Sequence, residues 1–174
     1  MKPYTFETER LLIRPTDTTD AAFILMLMNT PKWLQYIGDR NVHSIVEAKD
    51  YIKNKMTSQL TRLGYSNYTV IRKSDAEKIG TCGLYDREGL EGIDLGFAFL
   101  PHFEKKGYAF ESTVKLKEEA INTFNIKELN AITTQENKAS QRLLEKLGFS
   151  FFELIKIPKD TAELMLYRFS TKTC

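Results

Sequence analysis

The stretch LPHFEKKGYAFE, residues 100–111, joins an apolar segment to an amphipathic one. The apolar segment, GIDLGFAFL (residues 92–100), is rich in β-branched and aromatic residues and predicts a strand, in which Gly96 indicates a bulge or a close approach. Pro101 ends that strand, because proline cannot donate to a strand ladder. After Gly107, apolar residues recur every three or four positions. The chain therefore predicts a strand, a charged turn and a helix in succession.

This turn has the features of a phosphate-binding loop. The first backbone N–H groups of a helix have no partner within it and carry the positive end of its dipole. Gly107 would let a phosphate approach the backbone closely, and Lys105 and Lys106 add positive charge beside it. An ordinary connection is the alternative, because strand, loop and helix follow one another in every α/β protein.

A second helical stretch, ENKASQRLLEKLGF, covers residues 136–149. Asn137 is placed to cap this helix and Gly148 to end it. Asn137 and Ser140 lie three residues apart and so share one helix face. The alternative for Asn137 is a cap with no other role, and for Ser140 an ordinary first-turn serine.

Together these segments resemble the GNAT superfamily of acyl-CoA-dependent N-acetyltransferases, and within it the branch that acetylates the amino termini of ribosomal proteins. At the positions of that branch's acetyl-CoA motif the chain has Asp94, Gly96, Phe97, Pro101, Phe103, Glu104, Lys105, Lys106, Gly107, Tyr108, Ala109 and Glu111. Its second motif is matched by Asn137, Ser140, Glu145, Lys146, Gly148 and Phe149. TERLLIRP, residues 8–15, is similar to the opening strand of the branch. The resemblance therefore covers essentially the whole chain.

The resemblance implies a role for these positions. The implied acetyl-CoA-binding residues are Phe97, Phe99, Lys105, Lys106, Gly107, Tyr108, Ala109 and Asn137. Pantetheine amides would pair with the backbone of Phe97 and Phe99, as an added strand does. Ser140 would be the acid that protonates the leaving sulfur. Asp94, where the family usually has Glu, would accept the amine proton through water; the alternative is a half-exposed strand aspartate that holds a loop.

The chain departs from the family at Glu104 and Lys105, where the family has other residues, commonly Trp-Gly. A carboxylate that faces a pyrophosphate is unfavourable. We therefore expect Glu104 to point to solvent while its backbone still contributes to the loop. Cofactor affinity is the property that this departure affects.

The composition, 42% hydrophobic and 28% charged, fits one globular domain over residues 1–174. A formal net charge of +2 gives no nucleic-acid footprint. No apolar run approaches the roughly 20 residues of a membrane span, so we expect neither nucleic acid nor membrane as a partner. The amino terminus lacks a signal-peptide core, which predicts a cytoplasmic protein. Cys82, Cys174, His43 and His102 are too scattered for a metal site, so we expect no metal.

Periodicity and turn residues predict the order β-α-α-β-β-β-α-β-α-β-β, which is an α+β (mixed α/β) chain. This order matches the GNAT fold, a central twisted mixed sheet of about seven strands with helices on both faces. In that layout the strands at residues 92–100 and 128–134 run parallel and splay apart, and the cofactor lies between them. The other predicted strands are residues 8–14, 65–72, 78–85, 149–157 and 163–169.

The sequence thus predicts an N-acetyltransferase that transfers the acetyl group of acetyl-CoA to a primary amine by direct attack. The acceptor is either a protein amino terminus or a small-molecule amine, because the residues that choose it lie outside both motifs. The alternative is a non-catalytic acyl-CoA-binding or regulatory module with the same fold. The sequence does not decide the oligomeric state, and a homodimer is one alternative.

Overall fold

A computed structural model of the protein describes residues 3–158 and 160–171. Across these residues eight strands form one mixed sheet in the order β1-β2-β3-β4-β5-β6-β8-β7. The strands are β1 (Phe6–Glu7), β2 (Leu11–Pro15), β3 (Asn67–Arg72), β4 (Glu77–Asp86), β5 (Ile93–Phe99), β6 (Glu128–Thr134), β7 (Ser150–Ile155) and β8 (Leu164–Ser170). The α-helices are α1 (Ala21–Met28), α2 (Pro31–Tyr36), α3 (Ile45–Tyr51), α4 (Ser58–Leu63), α5 (Tyr108–Asn122) and α6 (Lys138–Lys146), and a π-helical segment, Ile52–Thr57, joins α3 to α4.

The predicted α+β class is confirmed, with one strand more than the seven expected. Residues 8–10 of the predicted opening strand, residues 8–14, form a turn instead, and β1, which precedes that turn, pairs back on β2 in antiparallel register. The hydrogen bond from the N–H of Thr8 to the C=O of Leu11 closes that turn at 2.9 Å.

The sheet divides between β5 and β6. These two strands are parallel, and their ladder has one partner pair, Asp94 with Asn130. Beyond that pair β5 runs on to Phe99 and β6 to Thr134, and the strands diverge. We call the space between them the fork; it corresponds to the predicted splay.

The predicted bulge at Gly96 is wrong. β4 and β5 pair without a register shift, and Gly96 lies opposite Gly83. A Cβ on Gly96 would lie 2.9 Å from Cε2 of Tyr85, and one on Gly83 would lie 2.4 Å from Cζ of the same ring. The two glycines therefore make room for the Tyr85 ring across the strands.

Helices cover both faces of the sheet. Cys82 on β4 lies against Ser112 of α5. Tyr85, three positions further along β4, lies near Tyr51 of α3. Because strand residues at odd separation face opposite sides, α5 and α3 lie on opposite faces. Burial raises the pKa of the Cys82 thiol to about 12, so this cysteine is an inert core residue.

Candidate functional site

The loop after β5 opens α5 without a side-chain cap. Gly107 is the residue before the helix, with φ of 83°, and Lys105 is also left-handed, with φ of 59°. The N–H of Glu111 donates to the C=O of Gly107 at 3.0 Å. The N–H groups of the three residues between them therefore have no acceptor within the helix. Lys105, Lys106 and Gly107 are exposed, so this positive end of α5 is open to an anion.

The backbone of β5 has one side turned toward β4 and the other toward the fork. The N–H of Leu100, the residue after β5, donates to the C=O of Ile79 on β4 at 3.0 Å. Because backbone direction alternates along a strand, the even-numbered residues of β5 direct their N–H and C=O groups to β4. Phe97 and Phe99 therefore direct theirs into the fork, where β6 has already diverged. An extended ligand with amide groups fits this edge as an added strand.

The start of α6 follows the other arm of the fork. Asn137 Oδ1 accepts a hydrogen bond from the N–H of Ser140 at 3.1 Å, which is the predicted cap. The side chain of Ser140 is half-buried. Asn137 and Ser140 thus lie just beyond β6, whereas Phe97 and Phe99 lie on β5.

Asp94 lies at the closed end of the fork, with 1% of the residue exposed. Its Oδ2 accepts a hydrogen bond from Nε of Arg87 at 2.9 Å, and its Oδ1 is buried without a hydrogen-bond partner. Burial raises the pKa of this carboxyl, and the Arg87 guanidinium only partly opposes the rise. The alternative prediction, a half-exposed aspartate that holds a loop, is wrong about the exposure of Asp94. Its carboxylate does hold a loop, because Arg87 belongs to the turn between β4 and β5.

The structure therefore separates the predicted site residues into two groups. The implied cofactor-binding residues and Ser140 follow the two arms of the fork along the chain: β5 carries or leads to Phe97, Phe99, Lys105, Lys106, Gly107, Tyr108 and Ala109, and β6 leads to Asn137 and Ser140. Asp94 lies apart from them, at the rung where the fork begins.

The expectation that Glu104 points to solvent is wrong. Its carboxylate forms an ion pair with Nζ of Lys32 on α2, and its side chain is 25% exposed. A cation beside this carboxylate offsets the repulsion that a phosphate would meet in the loop. Lys32 was missed because 72 residues separate it from Glu104.

Arg10 is a second residue that the sequence reasoning missed. Its Nη1 donates to the C=O of Lys106 at 3.1 Å, and its guanidinium lies 4.4 Å from the centre of the Tyr108 ring. Its Nε forms an ion pair with Oε2 of Glu111 at 2.7 Å. Arg10 thus fastens the opening segment of the chain to the loop before α5. The signal was an arginine and a glutamate in two different motifs, which only the fold brings together.

Residues 3–158 and 160–171 contain no group of three or more His, Cys, Asp and Glu arranged to hold a metal ion. Over the same ranges, each helix is too short or too polar to cross a membrane. Cys174 lies outside the described residues.

Known proteins resemble this chain in sequence and in fold. The family model described as "Acetyltransferase (GNAT) domain" matches residues 10–150. The uncharacterized N-acetyltransferase p20 of Bacillus licheniformis is 29% identical over 148 residues, which cover 83% of this chain and 82% of that protein. An acetyltransferase structure from Agrobacterium tumefaciens aligns with a TM-score of 0.83 at 22% identity, over 98% of this chain and 96% of that one. RimL, a ribosomal L7/L12 alpha-N-protein acetyltransferase solved in complex with coenzyme A, aligns with a TM-score of 0.80 at 17% identity, over 96% and 98%. Because the family model spans most of the chain, the protein belongs to the GNAT acetyltransferase family.

Proposed function

We propose that the protein transfers the acetyl group of acetyl-CoA to a primary amine, either a protein amino terminus or a small-molecule amine, by direct attack. One observation carries this proposal: the backbone groups of Phe97 and Phe99 point into a fork between two parallel strands. The arm of β5 leads directly to the uncapped start of α5. A pantetheine arm needs such a strand edge, and a pyrophosphate needs such a helix end.

The residues at the open end of the fork would bind and orient the cosubstrate. Phe97 and Phe99 would pair with the pantetheine amides, and Asn137 would contact the same arm through its side chain. The N–H groups at the start of α5, together with Lys105 and Lys106, would hold the phosphates. Acetyl-CoA supplies an acetyl group on a good leaving group, so the protein needs mainly to position an amine against it.

Two proton movements complete the transfer. As the amine nitrogen bonds to the acetyl carbon and the carbon–sulfur bond breaks, Asp94 takes the proton that the nitrogen loses. A water molecule relays that proton, because the carboxylate is buried. The Oγ–H of Ser140 donates a proton to the leaving sulfur and regains one from solvent. The nucleophile is the acceptor amine itself.

The alternative is a non-catalytic acyl-CoA-binding module, and an unpaired Glu104 carboxylate beside the phosphates would favour it. Because Lys32 pairs with that carboxylate, we favour the enzyme. A panel of primary amines, assayed for release of free CoA, distinguishes the two functions. Tight acetyl-CoA binding with no release from any amine would favour the module.

We expect acetyl-CoA to raise the melting temperature of the protein. A ligand that binds only the folded state stabilises it by about 2.7 kcal/mol at a hundredfold excess over Kd. Desulfo-CoA should stabilise nearly as much, because the fork and the loop are expected to contact pantetheine and phosphates and not the thiol. Differential scanning fluorimetry measures both shifts. An unchanged melting temperature at millimolar acetyl-CoA would contradict the assigned binding site.

Ser140→Ala should lower kcat by about 10- to 100-fold and leave acetyl-CoA binding within a few-fold of the parent. The CoA thiol resembles a cysteine thiol, whose pKa is about 8.5, so it leaves readily and acid assistance contributes at the low end of its usual range. Asn137→Ala should instead lower the free energy of unfolding by about 1 kcal/mol through the lost cap, and weaken cofactor binding as well. Single-turnover rates and cofactor titrations of both variants test this contrast. An unchanged chemical step in Ser140→Ala would remove Ser140 from the mechanism.

A further inference from the structure

The carboxylate of Asp94 is held on one side only. Oδ2 is bonded to Nε of Arg87, whereas Oδ1 is buried and has no partner. An unpartnered buried carboxylate oxygen is costly, and such a group in a folded protein calls for an explanation.

The two residues opposite Asp94 in the sheet do not bond to Oδ1, and their side chains donate to other segments. On β6, Nδ2 of Asn130 donates to the C=O of Glu91 at 2.7 Å. On β4, the hydroxyl of Tyr85 donates to Oδ1 of Asn67 at 2.5 Å. Both side chains thus hold other segments of the chain, and Oδ1 of Asp94 is left buried without a hydrogen-bond partner.

We propose that Arg87 is a positioning residue of the acetyl transfer: its guanidinium holds Oδ2 of Asp94 and so directs Oδ1 toward the water that relays the proton of the acceptor amine. This inference rests on the proposed function, in which Asp94 takes the proton that the amine nitrogen loses. Arg87 has no contact with the reacting atoms in this scheme and acts through the carboxylate.

Arg87 is also the charge that favours the ionised form of this carboxyl group. Among the titratable groups around the pair, Tyr51 of α3 and Tyr85 of β4 act on the charge of Arg87. Burial raises the pKa of the Tyr85 hydroxyl, so this group stays neutral at assay pH. Burial also raises the pKa of Asp94, and Arg87 is the group that opposes the rise. Without Arg87 the carboxyl would hold its proton to higher pH.

Arg87→Met tests the positioning role, because it removes the charge and keeps an apolar stem. We expect the acid limb of the pH profile of kcat/KM to move to higher pH. The ratio of kcat/KM in the variant to kcat/KM in the parent should therefore be about 10-fold lower at pH 6 than at pH 9. Arg87→Lys, which keeps the charge, should restore most of the profile. Arg62→Met is the matched control, since Arg62 also pairs with a carboxylate at 2.7 Å, that of Asp86, but on the surface. Its profile should coincide with that of the parent.

A second measurement does not depend on turnover. In protein labelled with ¹³C at the aspartate carboxyl carbons, the Asp94 signal is assigned by its loss in Asp94→Asn. Its titration should move to higher pH in Arg87→Met and stay in place in Arg62→Met. An unmoved Asp94 titration, or a kcat/KM profile of Arg87→Met that coincides with the parent's, would overturn the inference. Failure of the proposed function is a separate result: the parent itself would then release no CoA with any amine.

Discussion

Gly107→Val removes the stabilisation of the protein by acetyl-CoA. At φ of 83° a β-branched residue is a genuine outlier, so the substitution must distort the loop before α5. A Cβ at this position would lie 3.2 Å from Nη2 of Arg10, the side chain that fastens the loop. We expect Kd for acetyl-CoA to rise by at least about 100-fold, which corresponds to about 2.7 kcal/mol. Thermal shift and calorimetric titration measure this loss.

Gly64→Val separates backbone strain from loss of the binding site. Gly64 has nearly the same backbone angle, φ of 84°, and ends α4, and a Cβ there would meet nothing within 4 Å. This variant should unfold more easily, by about 1–3 kcal/mol, and yet show the full acetyl-CoA shift. If Gly107→Val bound acetyl-CoA as the parent does, the phosphates would have to be held elsewhere.

Asp20→Ala should cost about 3–5 kcal/mol of unfolding free energy, the usual effect of breaking a buried ion pair. Asp20 is fully buried, and its carboxylate accepts two hydrogen bonds from Arg14, at 2.7 and 2.8 Å. Nζ of Lys78 lies 2.7 Å from the same group. Removing the carboxylate takes the buried partner from both cations, and Arg14 then keeps only the more distant carboxylate of Asp17, at 3.6 Å. Urea unfolding at neutral pH measures the loss, with Asp86→Ala as control, because the surface pair of Asp86 and Arg62 contributes at most about 1 kcal/mol.

Acid should remove part of the stabilisation that the Asp20 carboxylate gives the parent protein. Burial alone would raise the pKa of Asp20, but hydrogen bonds from Arg14 and Lys78 outweigh it and lower the pKa to about 2. A lowered carboxyl pKa gives stability that is present above the unfolded value of 3.8 and is lost as pH falls toward 2. The difference between parent and Asp20→Ala should therefore narrow by roughly 2 kcal/mol between about pH 5 and pH 2. If the difference in unfolding free energy between the two proteins stayed constant over that pH range, the ion pair of Asp20 would not be the source of the difference.

The features predicted correctly from sequence are those that local residues determine. The cap of α6 joins Asn137 to Ser140, three residues away, and the turn into α5 needs a glycine at position 107 whatever surrounds it. The divergence of β5 and β6 followed from the resemblance, because both motifs flank these strands.

The features that were missed depend on contacts between distant segments. A glycine within a strand predicts a bulge or a close approach, and the Tyr85 ring that makes Gly96 a site of close packing lies on the neighbouring strand. The ion pair of Arg10 with Glu111 spans 101 residues of sequence. The burial of Asp94 likewise depends on which residues lie opposite it in the sheet, and a single strand gives no information about its register.

The single rung between Asp94 and Asn130 also marks where the fewest backbone hydrogen bonds hold the sheet together. Strands β1 to β5 form one continuous antiparallel ribbon, and β6, β8 and β7 form another. Within each ribbon, neighbouring strands share two or more partner pairs, whereas one pair joins the two ribbons. A ligand that pairs with the edge of β5 would therefore add backbone hydrogen bonds where the sheet has fewest, and would serve as an additional strand between its two halves.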